Sequence, residues 1–300
     1  GTRFMWWRAR MLGGRTNHFG RLVPRFTPED FNMADRDGLG ENWPIDYDEV
    51  APWYDRTEKL IGVSGTNPDL EDTPASADGV LQPPPKPRVY ELLLKAVTDK
   101  MGIPAVPMRR AVITQDLDDR KACFYATGCG RGCSIGAAFQ TTTSLLPWAQ
   151  KTGNMKLVTD AMVKEVHVNE NGQASGVTFV NRLTNEDIRV DADRVILAAS
   201  ACETARLMLN SKSALHPNGL ANSSGQVGRN LMDSLGADIG GFIPALKGRP
   251  KYNEDGYSSN HLYIPWWDNE GQKDGSLNFP RGYHFEIGGG FGSPGMGVAS

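Results

Sequence analysis

Three of the chain's four cysteines, Cys123, Cys129 and Cys133, fall within eleven residues, on a turn that also carries Gly128, Gly130 and Gly132. Cysteine used only for packing scatters through a sequence as a small hydrophobe. A glycine-bounded trio spaced Cys-x5-Cys-x3-Cys points instead to a loop folding tightly around something, with a metal cluster, a disulfide and reduced thiols all open. A second group is the pair Gly13-Gly14 followed by Thr16, Asn17 and His18. Adjacent glycines let backbone approach a ligand, and the polar residues after them can donate to it, although a glycine pair is also the mark of a plain turn. Arg8, Arg10, Arg15 and Arg21 surround this stretch; they suit phosphate, and they equally suit solvation of a surface.

The elements that must position these groups follow from periodicity. Asp46 to Gly62 has Val50, Trp53, Tyr54, Leu60 and Ile61 at helical spacing, Asp46 and Glu49 placed as a capping box, and Gly62 as a stop. Pro52 must then lie near the first turn. Residues 67–87, ending in three prolines, read as a linker or surface excursion. Tyr90 to Gly102 reads as a second helix and Ile103 to Thr114 as extended chain. Gln140 to Gly153 reads as a helix opened by a Thr/Ser run. Val163, Val166 and Val168 face Val177 and Phe179 across Asn171-Gly172, a hairpin signal, with a third strand at Ile188 to Val190. Arg194 to Ala199 is continuously apolar, as in a strand buried on both faces, and leads to Ser200, which can cap a helix through Ser211. Ala237 to Leu246 and Tyr283 to Gly292 read as strands.

The bulk numbers exclude as much as they imply. A formal net charge of -3 over 300 residues offers no electrostatic reason for a nucleic-acid partner. No apolar run approaches the roughly 20 residues of a membrane span. His167 and His216 stand apart from any partner, Glu203 suits a helix dipole, and Cys202 reads as core. The Trp6-Trp7 and Trp266-Trp267 pairs read as packing.

Taken in order, ARMLGGRTNHFGR, GCSIGAAFQTTTSLLPWAQKTGNMKLVTDAMVKEVHV and RVILAASACETARLMLNS followed by GLANSSGQVGRNLMD resemble the glucose-methanol-choline family of FAD-dependent oxidoreductases. The resemblance implies an α/β fold with α+β elements. Its FAD-binding, Rossmann-like domain is discontinuous, at 1–25 and 114–233. An excursion at 26–113 contributes to a lid and substrate domain, and the start of a substrate domain with an antiparallel sheet follows at 234–300. It also implies FAD contacts at Gly13, Gly14, Thr16, Asn17 and His18, at Val163 on the adenine side, and at Ala198, Ala199 and Asp233. The family's N-terminal G-x-G-x-x-G is absent, its catalytic His and partner are expected beyond residue 300, and Ser234 stands where the family usually has His. The chain is therefore expected to be a fragment, inactive alone.

The cysteine spacing before an "IGA" segment resembles the glucose, fructose and gluconate dehydrogenase branch. There, such a trio implies a 3Fe-4S cluster at Cys123, Cys129 and Cys133 passing electrons from flavin to a cytochrome c subunit, alongside a small accessory subunit. The function expected is oxidation of CH-OH groups of sugars, polyols or sugar acids with hydride transfer to FAD and an external acceptor. An oxidase using dioxygen, a lyase that keeps FAD, and a metal-binding or structural module without activity are the alternatives. Periplasmic or membrane-associated localisation through partners follows from the same branch.

Overall fold

Helices begin where side chains can satisfy their first backbone donors. The structure, a computed structural model, describes residues 9–125, 133–249, 262–265, 275–276 and 282–289, so Trp6-Trp7, Cys129 and Trp266-Trp267 lie outside the described residues. Thr27 and Asp30 form a capping box ahead of α1 (Pro28–Phe31), and α2 (Met33–Asp37) follows at once. Asp46 and Glu49 form the expected second box at the start of α3 (Tyr47–Ile61), which Gly62 ends in the left-handed conformation. A Cβ at position 62 would lie 2.3 Å from Ile113 Cγ2, so the stop is required by packing as well as by φ. α4 (Val89–Lys100) matches the second expected helix. β1 (Val106–Pro107) is short, and α5 (Leu145–Lys151) precedes the hairpin strands β2 (Ala161–Val168), β3 (Ala174–Asn181) and β4 (Asp187–Asp191). α6 (Ala201–Asn210), β5 (Leu262–Ile264) and β6 (Phe285–Ile287) complete the elements among the described residues.

The chain divides into two compact units, one of Gly1–Met155 with Phe242–Ser300 and one of Lys156–Gly241. In the first, β5 pairs antiparallel with both β1 and β6, giving an antiparallel sheet built largely from residues past Asp233. The organising feature of this unit is the extended stretch 108–113, in which every residue is buried. Val23 N–H donates to the Arg109 carbonyl and Ala111 N–H to the Arg21 carbonyl. Ser64 and Arg110 exchange backbone bonds, Ile113 N–H donates to Ala137, and Phe139 N–H donates to Ala111. One strand-like spine thus ties together the segment after the glycine loop, the end of α3 and the segment before α5. Ile61, Val63, Ala111 and Phe139 pack around it with Phe19 and Leu145.

In the second unit, β2, β3 and β4 form an antiparallel meander with Val163 opposite Phe179 and Val166 opposite Val177, as the valine alternation required. α6 closes one face: Leu207 is buried, and the Ser211 hydroxyl accepts the Val166 N–H at 2.9 Å.

Several local expectations are corrected. Pro52 is the sixth residue of α3, inside the helix just past its first turn, and the helix remains continuous; it is held at its start by the capping box and farther along by ion pairs from Asp55 and Glu58. The expected helix at 140–153 is split, because Ser144 (φ -131°, ψ -81°) separates a 3-10 turn at Thr141–Thr143 from α5. Arg194 to Ala199 is not a strand. β4 pairs only with β3, no described strand lies beside 194–199, and Ile196 is 91% exposed, so the apolar run has no sheet to be buried in. Ser200 starts α6 without a side-chain cap; its φ of 75° leaves only its carbonyl to accept the Thr204 N–H. Ala237 to Leu246 is exposed chain ending in a 3-10 turn at Pro244–Leu246, again with no pairing partner among the described residues. No described helix is long and apolar enough to cross a membrane.

Candidate functional site

Gly13 and Gly14 turn the chain with φ of 84° and 52°, and a 3-10 turn at Gly14–Asn17 follows. The Thr16 hydroxyl donates to the Gly13 carbonyl at 2.6 Å. Because a hydroxyl has one proton, the Thr16 oxygen is then free to accept, and it takes the Thr141 hydroxyl at 2.9 Å and the Thr141 N–H at 3.1 Å. Asn17 bridges in the same way: its amide donates to the Leu12 carbonyl at 2.7 Å while its Oδ1 accepts the Thr142 hydroxyl at 3.2 Å. Arg21, buried, donates to the carbonyls of Phe19 and Asn17. Residues 125 positions apart are thereby clasped into one loop pair, held from below by the 108–113 spine.

The two glycines have different duties. A Cβ on Gly13 would lie 2.9 Å from both Asn17 Oδ1 and Thr142 Cγ2, so this glycine permits the clasp itself. A Cβ on Gly14 would meet nothing within 4 Å, so bare backbone faces open space there. That is the side on which a planar ring or a phosphate can lie against the chain. His18 is exposed at the end of the loop. The Thr16 hydroxyl proton is taken up within the loop, whereas the Asn17 amide gives one N–H to Leu12 and has a second. Gln140, which sequence reading passed over, is 6% exposed, and its Nε2 has no hydrogen-bond partner among the described residues. Bare backbone at Gly14 and a buried donor beside the clasp fit a flavin cofactor.

The remaining expected contacts belong to the second unit. Val163 is half-buried in β2, Ala198 and Ala199 are exposed ahead of α6, and the exposed Asp233 accepts the Ser234 N–H at 2.9 Å. Of the cysteine trio, Cys123 and Cys133 pack on the same apolar group of Val112, Ile113, Ala137 and Ala138. Each sulfur accepts a backbone N–H, from Tyr125 at 3.3 Å and from Ala138 at 3.5 Å. Cys133 and Cys202 are free thiols, and no metal-holding group of His, Cys, Asp and Glu occurs among the described residues. Beside them Arg120, 3% exposed, donates to the carbonyls of Ile61, Gly136 and Ala137. Burial pushes its guanidinium below the ordinary range, with Cys133 and Asp118 opposing.

A second polar cluster was invisible in the sequence. Glu58, 4% exposed, takes Arg25 through two bonds of 3.0 and 2.6 Å, the Ser76 hydroxyl at 2.6 Å, and Arg109 at 3.5 Å. Arg25 also binds Asp55. Burial alone would push the Arg25 guanidinium down, but its bonds to Glu58, Tyr47 and Asp55 win and hold it above its ordinary value. Arg109 moves the other way, since burial outweighs Glu58. A small cleft with about 30 Å³ of room lies over this network, with Met108 and Tyr263 in its walls. Two arginines against two carboxylates leave its floor neutral, so the network braces the fold and does not attract an anion. The only advance signal was the Arg109-Arg110 pair set against the apolar run Ala111 to Ile113.

Comparison with known proteins identifies the family. The profile described as GMC oxidoreductase matches residues 1–235. A 2-methyl-1,2-propanediol dehydrogenase from Mycolicibacterium austroafricanum is 34% identical over 75% of this chain and 40% of its own length. The fructose dehydrogenase large subunit from Gluconobacter japonicus is 30% identical over 75% of this chain and 41% of its own. Among solved structures, formate oxidase from Aspergillus oryzae aligns over 68% of this chain and 33% of that one, with 15% identity and a TM-score of 0.44. The chain thus spans about two fifths of the length of the curated relatives it matches. With the family profile covering residues 1–235, the glycine loop and the threonine run included, this chain belongs to the GMC oxidoreductase family, FAD-dependent oxidoreductases of mixed α/β fold.

Proposed function

We propose that the chain is the flavin-holding part of a dehydrogenase that oxidises CH-OH groups of polyols, sugars or sugar acids and passes the electrons to an external acceptor. The observation that carries this reading is the clasp of Gly13–Asn17 onto Thr141 and Thr142, with bare backbone exposed at Gly14. FAD, when bound, supplies the hydride acceptor; that chemistry is the cofactor's own. The chain's residues bind and orient it: Gly13 and Gly14 admit it, Thr16 and Asn17 hold the loop rigid, and His18 stands at the loop's end. In the second unit, Val163 is assigned by the family resemblance to the adenine side of FAD, and Ala198, Ala199 and Asp233 to FAD contact in the closing part of the FAD domain. A diol dehydrogenase and a fructose dehydrogenase among the relatives support the substrate class over an oxidase reading.

The test is an anaerobic titration of the purified full-length protein, followed by its visible spectrum. A vicinal diol, fructose or gluconate is expected to bleach the flavin bands, and an added dye to restore them. A colourless protein, or turnover that needs dioxygen and yields peroxide, would sink the proposal.

The cysteine trio is assigned as the electron exit, carrying a 3Fe-4S cluster and facing a cytochrome c subunit and a small accessory subunit. Supporting this are the two N–H···S bonds at Cys123 and Cys133, of the kind that tunes metal-bound thiolates, and their shared apolar seat. Iron and acid-labile sulfide in a 3:4 ratio are expected on analysis of the intact protein; flavin with no iron overturns the assignment.

A further inference from the structure

Around the glycine loop the threonine hydroxyls all have acceptors: Thr16 gives its proton to the Gly13 carbonyl, Thr141 to Thr16 and Thr142 to Asn17, while Asn17 gives one of its two amide protons to Leu12. The hydroxyls of Thr143 and Ser144 both donate to the Gln140 carbonyl, at 3.3 and 2.6 Å. The Gln140 carboxamide is left over: its Nε2 is buried with two protons and no acceptor among the described residues. Burying an amide without an acceptor lowers stability, and nothing in the packing of this loop requires it. Backbone geometry bears on where the side chain goes. Gln140 is extended (φ -144°, ψ 135°), so its side chain leaves on the opposite side of the chain from Phe139, which is committed to the apolar core around Ala111. Its backbone runs directly into Thr141, whose N–H and hydroxyl lie on Thr16 of the glycine loop.

We propose that Gln140 is a cofactor-binding residue whose carboxamide N–H donates to an acceptor atom of the flavin nucleotide, a ring carbonyl or a phosphate oxygen, at the glycine-loop clasp. The assignment rests on the flavin reading above. It explains why a buried donor is tolerated: the cofactor supplies the missing acceptor, and the empty protein bears the cost. The two states should therefore respond in opposite directions to its removal.

The test uses the full-length protein, stripped of and reloaded with FAD, in Gln140→Met and Gln140→Glu variants. Flavin affinity is read by fluorescence quenching and apoprotein stability by thermal unfolding. Gln140→Met, which keeps the length and loses the donor, is expected to weaken FAD about tenfold while leaving the apoprotein as stable as the parent or more so. Gln140→Glu, which places an acceptor where the donor was, is expected to weaken it further at neutral pH. FAD affinity within twofold of the parent in both variants overturns the proposal. So does a Gln140→Met apoprotein that melts well below the parent, since that would make the residue structural. A parent protein that binds no FAD fails the flavin reading itself and is recognised before any variant is made.

Discussion

At the scale of single residues, the site depends on atoms that are absent as much as on those present. Gly13 has no room for a methyl group, since Asn17 and Thr142 both stand 2.9 Å from where it would be. Its φ of 84° adds a second penalty for any other residue. Gly13→Ala is therefore expected to open the clasp and raise the FAD dissociation constant by about tenfold or more, equivalent to at least ~1.4 kcal/mol, with the fold retained. Equilibrium flavin binding checks it, and unchanged affinity would mean the loop does not contact the cofactor. Thr16→Val keeps the shape but removes one donor and the acceptor of two bonds. A loss of about 1–2 kcal/mol in unfolding free energy is expected, together with weaker flavin retention on gel filtration. Legibility differed within this small set. The glycine pair and its polar followers could be recognised as a loop, because spacing along the chain is a local property. That Thr16 and Asn17 accept from Thr141 and Thr142 was not legible, because those partners lie 125 residues away.

At the scale of elements, α3 carries the strongest test. Its cap and stop were written locally in Asp46, Glu49 and Gly62, and the helix forms between them. What anchors its buried side is not local: Glu58 meets Arg25, Arg109 and Ser76, which arrive from three other segments. Removing the charge at Glu58 leaves two buried guanidinium groups sharing Asp55. Glu58→Gln is expected to cost about 3–5 kcal/mol, measured by urea denaturation, whereas a change below about 1 kcal/mol would show the network to be dispensable. The misread elements fail for the complementary reason. Arg194 to Ala199 has the composition of a buried strand, yet a strand exists only where a neighbour offers backbone partners, and none of the described strands does.

At the scale of the molecule, stability in alkali follows from two buried phenols. Burial, with Glu91 close by, pushes the Tyr90 hydroxyl up to about 12, and burial with Glu286 close by does the same for Tyr263. The unfolded chain releases these protons near 10.0 and the folded chain near 12. Between those values the folded state holds protons that the unfolded state has lost, so stability is full below about pH 10 and falls as pH rises to about 12. Unfolding free energy measured across that window, in the parent and in a Tyr263→Phe variant, should decline less steeply in the variant; identical slopes would mean the phenol is not protected.

The sequence by itself determined the boundaries of α3, the β2–β4 hairpin and meander, and, through its ordered motif blocks, membership of the GMC oxidoreductases. Each of these rests on neighbours in the chain or on residue order. Only the tertiary structure decided that residues 108–113 form the spine of the first unit, that the glycine loop closes on Thr141 and Thr142, and that Glu58 gathers two arginines. It also showed the Gln140 amide to be buried beside the clasp without an acceptor among the described residues. Those features are set by hydrogen bonds and burial between segments tens to more than a hundred residues apart. No local pattern records them, because the free energy that selects them appears only when the segments meet.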